Sequence, residues 1–422
     1  MEVRLLSSTA VDGGGSPGGP SATPLTVFDK VAADMHVAVL FAFAAPTATN
    51  AQIKDGLAKT LAHFYTFAGR LGTDELHRPC ILAGGAGDGA LLVEAAVESE
   101  LAEHIPLKPS PDLQKLHPPT EGAVHALQIQ LNRFRCGGLV IGVTCHHRVA
   151  DGQSMSTFYA AWGRAVRGLT VHPLPLYDCR RWVQPRCPPR SEFIPPGEAH
   201  DDGPHPPPAA GDEDVHNVSL RYSSEFIAKA LKAQTVEKYT TFEILLAHLW
   251  RKITMARGLN GEEFTQVRVA VDGRRRLNPP VPAEFTGNMV LNAYPRARAK
   301  ELLEGGLDGA AAVIRAAIRR MGEEYFRSFV DFWEIHEQLN DEKEMALYPD
   351  LEVNSWLGFR FSDMEFGGGD GGVCAFAPSW IPAEGVLVFI PPREGDGGGV
   401  DVVVTLFESH ANLLQQISHS VD

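Results

Sequence analysis

The sequence predicts an α/β protein built in two halves, and three observations carry that prediction. Strand-like and helix-like stretches alternate along the chain, the pattern of layered α/β folds rather than of a sandwich or a helix bundle. Residues 183–217, VQPRCPPRSEFIPPGEAHDDGPHPPPAAGDEDVHN, hold nine prolines and several acids. Such a composition cannot close a packed core, so this stretch reads as a long crossover between the halves. Finally, 422 residues are more than one simple core organises.

The elements follow in order. Residues 11–23 form an arm rich in Gly, Ser and Pro. NAQIKDGLAKTLAHFYTFAGRL, residues 50–71, has a helical pattern that places Ile53, Leu57, Leu61 and Phe64 on one face. GALLVEAAV and HALQIQLNRF read as strands. CGGLVIGVTC, residues 136–145, is almost wholly apolar with β-branched residues and reads as a buried strand. QSMSTFYAAWGRAVRG then puts Met155, Phe158, Tyr159, Trp162, Ala165 and Val166 on one helical face. After the crossover VSLRYS is a strand. TTFEILLAHLWRKITMARGL is a helix with Thr240 and Glu243 at capping-box spacing and Gly258 at its end. A glycine-rich hairpin region occupies 367–372 and 395–399.

Bulk properties exclude several function classes. A formal net charge of −14 and a pI of about 5.6 argue against nucleic acid as a partner, which needs a concentrated basic surface. The N-terminal residues lack the apolar core of a signal peptide, because glycine and proline interrupt them. The longest apolar run, VAVLFAFAA at 37–45, is about half of what a membrane span requires. The six cysteines include no C-x-x-C pair and suit reduced thiols. A soluble, cytoplasmic protein is expected.

The stretch CHHRVADGQSMS, residues 145–156, carries the chemistry. His147 falls at a strand-to-helix junction, with Asp151 and Gly152 forming the bend. Such a junction can present an imidazole to a cleft while apolar elements on both sides hold it rigid. Three readings stand side by side on these residues alone. His147 can be a core histidine satisfied by a hydrogen bond. It can be a metal ligand with His146 and Asp151, although adjacent strand histidines point to opposite faces and no second ligand cluster is evident. Or it can be a general base, since an ordinary histidine pKa near 6.5 suits proton removal at neutral pH. No G-x-S-x-G occurs, so a nucleophile elbow is missing and covalent catalysis is not indicated.

H-x-x-x-D-G after a C-G-G-containing strand, followed by an aromatic helix, resembles the BAHD acyltransferases, plant enzymes that use acyl-coenzyme A. The similarity runs in order over most of the chain. PLTVFDK at 24–30 resembles the family's opening strand and FAGRL at 67–71 its first-helix signature. The helix TTFEILLAHLWRKITMARGL resembles the long helix after the crossover. VDGRRRLNPPVPAEFTGN at 271–288 resembles the D-x-R…P…G-N segment, and NSWLGFRFSDMEFGGG at 354–369 the T-S-W…D-F-G-W-G segment. Three positions depart from the pattern: Glu365 and Gly368 replace the aspartate and tryptophan of D-F-G-W-G, and Asn354 replaces threonine. The opening LLSSTAV and the D-F-G-G-G-like segment look most like a cereal branch. That branch transfers hydroxycinnamoyl or benzoyl groups to amines such as tryptamine, agmatine or putrescine.

The resemblance implies two chloramphenicol-acetyltransferase-like domains, each a mixed β-sheet with flanking helices, and an active-site channel at their interface. The domains would span 1–182 and 218–422, joined by the crossover 183–217, with roughly 362–388 packing with the N-terminal domain. His147 would be the catalytic base. Asn354 and Trp356 would face the oxyanion and acceptor. Asp151, Arg274 and Glu365 would support the site, with Asp151 turned away from the imidazole and Glu365 paired to Arg274. Lys232 and Thr240 would contact coenzyme A, with Arg275 and Arg276 as further basic candidates; a solvated helix face or turn accounts for these four as well. Asp363 would meet the acceptor amine, and His146 would pack on the opposite face. The implied partners are an acyl-coenzyme A thioester, as substrate rather than resident cofactor, and an amine. No metal, nucleic acid or membrane is involved, and the protein would act as a monomer. Ester formation on shikimate, quinate or another alcohol is the alternative activity. A member that binds a thioester without turnover is the non-enzymatic one, against which the intact His147, Asp151, Arg274 and Trp356 speak.

Overall fold

The structure, a computed structural model, describes residues 1–14, 21–85, 87–193, 214–336, 348–359, 364–366, 372–391 and 397–421. The chain divides into two compact units. The first comprises Met1–Val183, Val281–Met289 and Phe359–Trp380, and the second Gln184–Pro280, Val290–Gly358 and Ile381–Asp422. Residues 281–289 thus belong to the first unit, an assignment the sequence pattern does not reveal. They are held there by a backbone exchange with Leu176, whose amide donates to Glu284 O at 2.9 Å and whose carbonyl accepts from Thr286 N at 2.9 Å.

The first unit is built on a six-stranded sheet. Its order is Val3–Val11, Ala90–Val97, Leu127–Phe134, Leu139–His146, His36–Phe43 and Ala375–Pro378. All pairs are antiparallel except Ala90–Val97 with Leu127–Phe134. Leu139–His146 is buried at every position, as a central strand covered on both faces must be. Its neighbour Leu127–Phe134 alternates apolar and polar residues, yet the polar face is buried too. Gln128, Gln130 and Asn132 donate side-chain N–H groups to the carbonyls of Pro119, Lys115 and Leu116 at 2.9, 2.8 and 2.7 Å. That segment therefore covers the sheet without leaving buried amides unpaired.

The helix Gly152–Val166 buries Phe158, Tyr159 and Trp162, and Trp162 Nε1 donates to Ile53 O at 3.2 Å. Burying one such side chain stabilises the fold by roughly 2–3 kcal/mol. Helix Asn50–Leu61 lies against it closely at Gly56, where a Cβ would meet Val166 Cγ2 at 2.6 Å.

Two expectations need correction. The helix read over 50–71 ends at Leu61; Tyr65–Ala68 is a 3-10 turn and Arg70–Thr73 a strand. At Gly69 the backbone approaches Leu82 O so closely that a Cβ would lie 2.6 Å away, so the chain turns into a small sheet with Pro79–Ala83. The crossover stops at residue 214, because Val215–Tyr222 is one continuous strand paired with Val400–Phe407. Residues 194–213 of the crossover, and 367–371 and 395–396 of the glycine-rich region, lie outside the described residues.

The second unit carries a seven-stranded mixed sheet. Leu351–Ser355 sits inside it, parallel to both Phe264–Asp272 and Val386–Ile390. The helix Thr241–Arg257 packs on this unit with its capping box formed and Gly258 closing it at φ 60°. This left-handed cap is the conformation for which glycine has no Cβ penalty. Among the described residues no helix is long and apolar enough to cross a membrane.

Candidate active site

His147 follows the last residue of the central strand, and its backbone is fixed from two sides. Its amide donates to Met35 O at 2.9 Å, and its carbonyl accepts from Asn288 Nδ2 at 2.8 Å. The His147 ring is half-buried, and its Nδ1 is buried with no hydrogen-bond partner among the described residues. Among the described residues the ring is therefore oriented by its backbone rather than by a side chain behind it.

Asp151 is 2 % exposed and spends both carboxylate oxygens on backbone. Oδ1 accepts from Ser154 N at 3.0 Å, which caps the helix Gly152–Val166, and Oδ2 accepts from Met289 N at 3.0 Å. A charge-bearing cap also favours the positive end of that helix. Gly152 follows because the ring of Phe359 fills the space beside it: a Cβ would lie 2.3 Å from Phe359 Cε2. Ser154 Oγ reaches Gly287 O at 2.8 Å, a second tie from the start of this helix to the segment 281–289.

Two residues behind His147 carry roles that sequence reasoning missed. Asn288 is 1 % exposed and divides its amide hydrogens between His147 O and Asp29 Oδ1, the latter at 2.9 Å. Asp29 Oδ1 also accepts Asn288 N at 2.8 Å, while Oδ2 accepts Thr26 N and Thr26 Oγ1 at 2.8 and 2.7 Å. Burial raises the Asp29 pKa, and the hydrogen bonds from Asn288 and Thr26 oppose that rise. Asp29, Asn288 and the His147 carbonyl thus form a continuous buried chain. Both residues stand inside segments already noted, PLTVFDK and the terminal G-N, and the buried polar pair gave no separate signal.

His146 faces the other way. Its Nε2 lies 3.1 Å from Asp34 Oδ1, and its Nδ1 accepts from Arg148 N at 3.2 Å. Burial, and then the adjacent His36, push the His146 pKa down to about 4. Asp151 and His146 are both committed to these protein contacts, and among the described residues no group of three or more His, Cys, Asp or Glu could hold a metal ion.

Glu365 and Arg274, expected as supports of the site, each have a partner within their own unit. Glu365 pairs with Arg167, just past the end of helix Gly152–Val166. The cause is Phe366, whose ring wedges against Phe43 and Trp162 at 5.3 and 4.8 Å between centroids and whose carbonyl accepts Ala48 N. With Phe366 anchored there, the neighbouring carboxylate reaches the Arg167 guanidinium. Arg274 is 2 % exposed and donates to Asp272 Oδ1 through its backbone amide at 2.9 Å and through Nη1 at 3.2 Å. Asp363 lies outside the described residues.

In the second unit, Asn354 and Trp356 leave the strand Leu351–Ser355 two residues apart. Trp356 N donates to Phe389 O at 2.9 Å, which fixes the backbone from which the indole projects. Asn354 Nδ2 donates to Glu352 Oε1 at 3.2 Å, so one amide hydrogen already has a partner. Lys232 and Thr240 come together at the start of helix Thr241–Arg257. Lys232 Nζ donates to Thr241 Oγ1 at 3.2 Å, while Thr240 caps the helix and donates to Glu243 Oε2 at 2.9 Å. Lys232 thus stands beside the helix start, on which the Glu243 carboxylate closes the capping box by accepting Thr240 N at 2.8 Å. Arg276 is bound to the carbonyls of Ile318 and Met321 at 3.0 and 2.8 Å.

Comparison with known proteins follows the same line. The Transferase family model matches residues 17–419. Agmatine hydroxycinnamoyltransferase 1 of Oryza sativa subsp. japonica is 40% identical over 439 residues, covering 96% of each chain. Tryptamine benzoyltransferase 1 of the same plant is 40% identical over 417 residues, covering 94% of this chain and 93% of its own. The crystal structure of vinorine synthase superposes with a TM-score of 0.76 at 21% identity, covering 99% of this chain and 98% of that one, a likeness of fold. The chain belongs to the Transferase family of BAHD acyltransferases, enzymes that use acyl-coenzyme A.

Proposed function

We propose that this protein transfers an aromatic acyl group, hydroxycinnamoyl or benzoyl, from coenzyme A to an amine, with His147 as the general base. The observation that carries the acceptor class is the 40% identity, over almost the whole chain, to rice enzymes named for agmatine and tryptamine. The observation that favours His147 is its rigid backbone at the strand-to-helix junction, with Nδ1 buried and Nε2 the nitrogen left to take a proton.

A thioester carbonyl is already activated, so the protein's task is to align two substrates and move one proton. The amine sheds its ammonium proton to solvent and attacks the carbonyl carbon as the free base. His147 Nε2 takes the proton released from nitrogen as the new C–N bond forms. The carbonyl oxygen becomes an oxyanion, for which the Trp356 indole N–H and the second amide hydrogen of Asn354 are the donors. The C–S bond then breaks, the coenzyme A thiolate leaves, and the imidazolium returns the proton to sulfur. Lys232 and the helix start at Thr240 would receive phosphate of coenzyme A. Asp151 acts through the backbone, capping the helix after the turn rather than polarising the imidazole.

Purified protein given coumaroyl-coenzyme A and a pool of tryptamine, tyramine, agmatine, putrescine, spermidine and shikimate tests the proposal by mass-resolved product formation. An amide is expected. An ester formed only on shikimate would overturn the acceptor class while leaving the family membership intact.

A further inference from the structure

We propose that His146 is a positioning residue for the reaction: as a neutral imidazole with its proton on Nε2, it clamps the turn that aims His147. The inference rests on His147 being the base.

The contacts fix the tautomer. Arg148 N can only donate, so the His146 Nδ1 lone pair must accept it at 3.2 Å. Asp34 is a carboxylate and accepts, so the nitrogen 3.1 Å from it, Nε2, must carry the hydrogen. Only one neutral form satisfies both contacts. A proton on Nδ1 would set two donors face to face.

The clamp closes on the catalytic residue itself. His146 N donates to Ala126 O at 2.8 Å, which ends the strand, and His146 O accepts from Val149 N at 2.9 Å, which makes the chain turn. His147 is the first residue inside that turn, and Arg148, whose amide His146 holds, is the next. Fixing the amide between them fixes the direction of the His147 Cα–Cβ bond. That matters here because the His147 ring has no hydrogen bond at Nδ1 from any described residue to correct its aim. The groups around His146 serve the same end. His36, opposite it on the neighbouring strand, packs its ring edge-on at 4.9 Å and is itself tied to His125 O at 2.9 Å. Arg148 Nη1 shares Asp34 at 3.0 Å and Arg148 Nε reaches Ala32 O at 3.4 Å. Burial and His36 disfavour the cation, so the required neutral form persists well below neutral pH.

The test separates the two nitrogens. In His146→Asn, Oδ1 takes the place of Nδ1 and can accept the Arg148 amide. In His146→Gln, the amide reaches the Nε2 position and leaves Arg148 N–H unpaired. Each is assayed for kcat and KM with coumaroyl-coenzyme A and the amine that turns over, beside His147→Ala, with thermal unfolding recorded for all. His146→Asn should keep kcat within about fivefold, and His146→Gln should lose on the order of 10²-fold in kcat with KM for the thioester unchanged, as misplacement by about 1 Å costs. Nitrogen-15 spectra of the histidine rings should lose, in His146→Asn, a neutral Nε2–H signal. Equal kcat for the two variants, or a signal showing Nδ1–H at pH 7, would overturn the clamp while an inactive His147→Ala kept the base. Turnover by His147→Ala would instead remove the base, and the clamp with it.

Discussion

Replacing Asn288 by aspartate would set a carboxylate where an amide now donates 2.9 Å to the buried Asp29. Two unit charges about 3 Å apart at an effective dielectric near 20 repel by about 5 kcal/mol, so the pair would retain one proton instead. Asn288→Ala removes the same donor without adding charge, and losing a hydrogen bond to a charged group costs about 1.5–3 kcal/mol. At pH 7.5 Asn288→Asp should therefore be the less stable variant by about 2 kcal/mol. The sign with pH is opposite to ordinary acid loss. The folded pair holds its proton more tightly than the unfolded chain does, so lowering the pH through its raised pKa stabilises the folded form of Asn288→Asp. Urea unfolding of both variants at pH 7.5 and 5.5 measures this, and the difference between them cancels the shared background. The gap should narrow at pH 5.5. A gap that stays constant or widens would refute the buried Asp29–Asn288 contact on which the placement of the His147 carbonyl depends.

Two further predictions concern the frame of the site. His146, and His248, which is buried in helix Thr241–Arg257 with Nε2 2.7 Å from Ser418 O, both have pKa values lowered to about 4, chiefly by burial, against about 6.5 when unfolded. The unfolded chain binds more protons between those values, so stability falls as pH drops from about 6.5 to 4; the well-buried His248 withdraws up to about 3 kcal/mol, and the less buried His146 correspondingly less. Unfolding midpoints across that range should show the loss, and His146→Asn should flatten the slope; an unchanged slope would contradict the assignment. Gly152→Ala would press a methyl to 2.3 Å from the Phe359 ring. A thermal melt should reveal a loss of about 1–3 kcal/mol, the usual cost of overpacking, together with reduced turnover; wild-type stability would show that Phe359 yields freely.

What the sequence made legible was what local chemistry decides. Helix Thr241–Arg257 starts at a Thr–Glu capping box and stops at a left-handed glycine, so both ends are written in adjacent residues. Leu139–His146 is central because a near-continuous apolar run can only be covered on both faces. His147 was visible for the same reason, as the polar break between two apolar elements. What stayed hidden depends on distant partners. The apolar spacing at Leu61 and Phe64 continues a helical pattern across a turn set by the approach of Leu82 to Gly69. Asp29 and Asn288 are 259 residues apart, and neither has a periodicity that announces the other. Glu365 turned to Arg167 because Phe366 beside it is anchored by rings from elsewhere in the unit, which no local motif records.

The base at position 147 is the claim on which the chemistry stands, and one measurement reaches it directly. Amide formation by His147→Ala is followed at saturating coumaroyl-coenzyme A and amine, with coenzyme A binding measured on the same sample. Loss of kcat by about 10²–10⁴-fold with binding retained is the outcome expected for a missing general base. A variant that binds coenzyme A and still turns over within a few-fold of wild type would show that the proton leaves by another route.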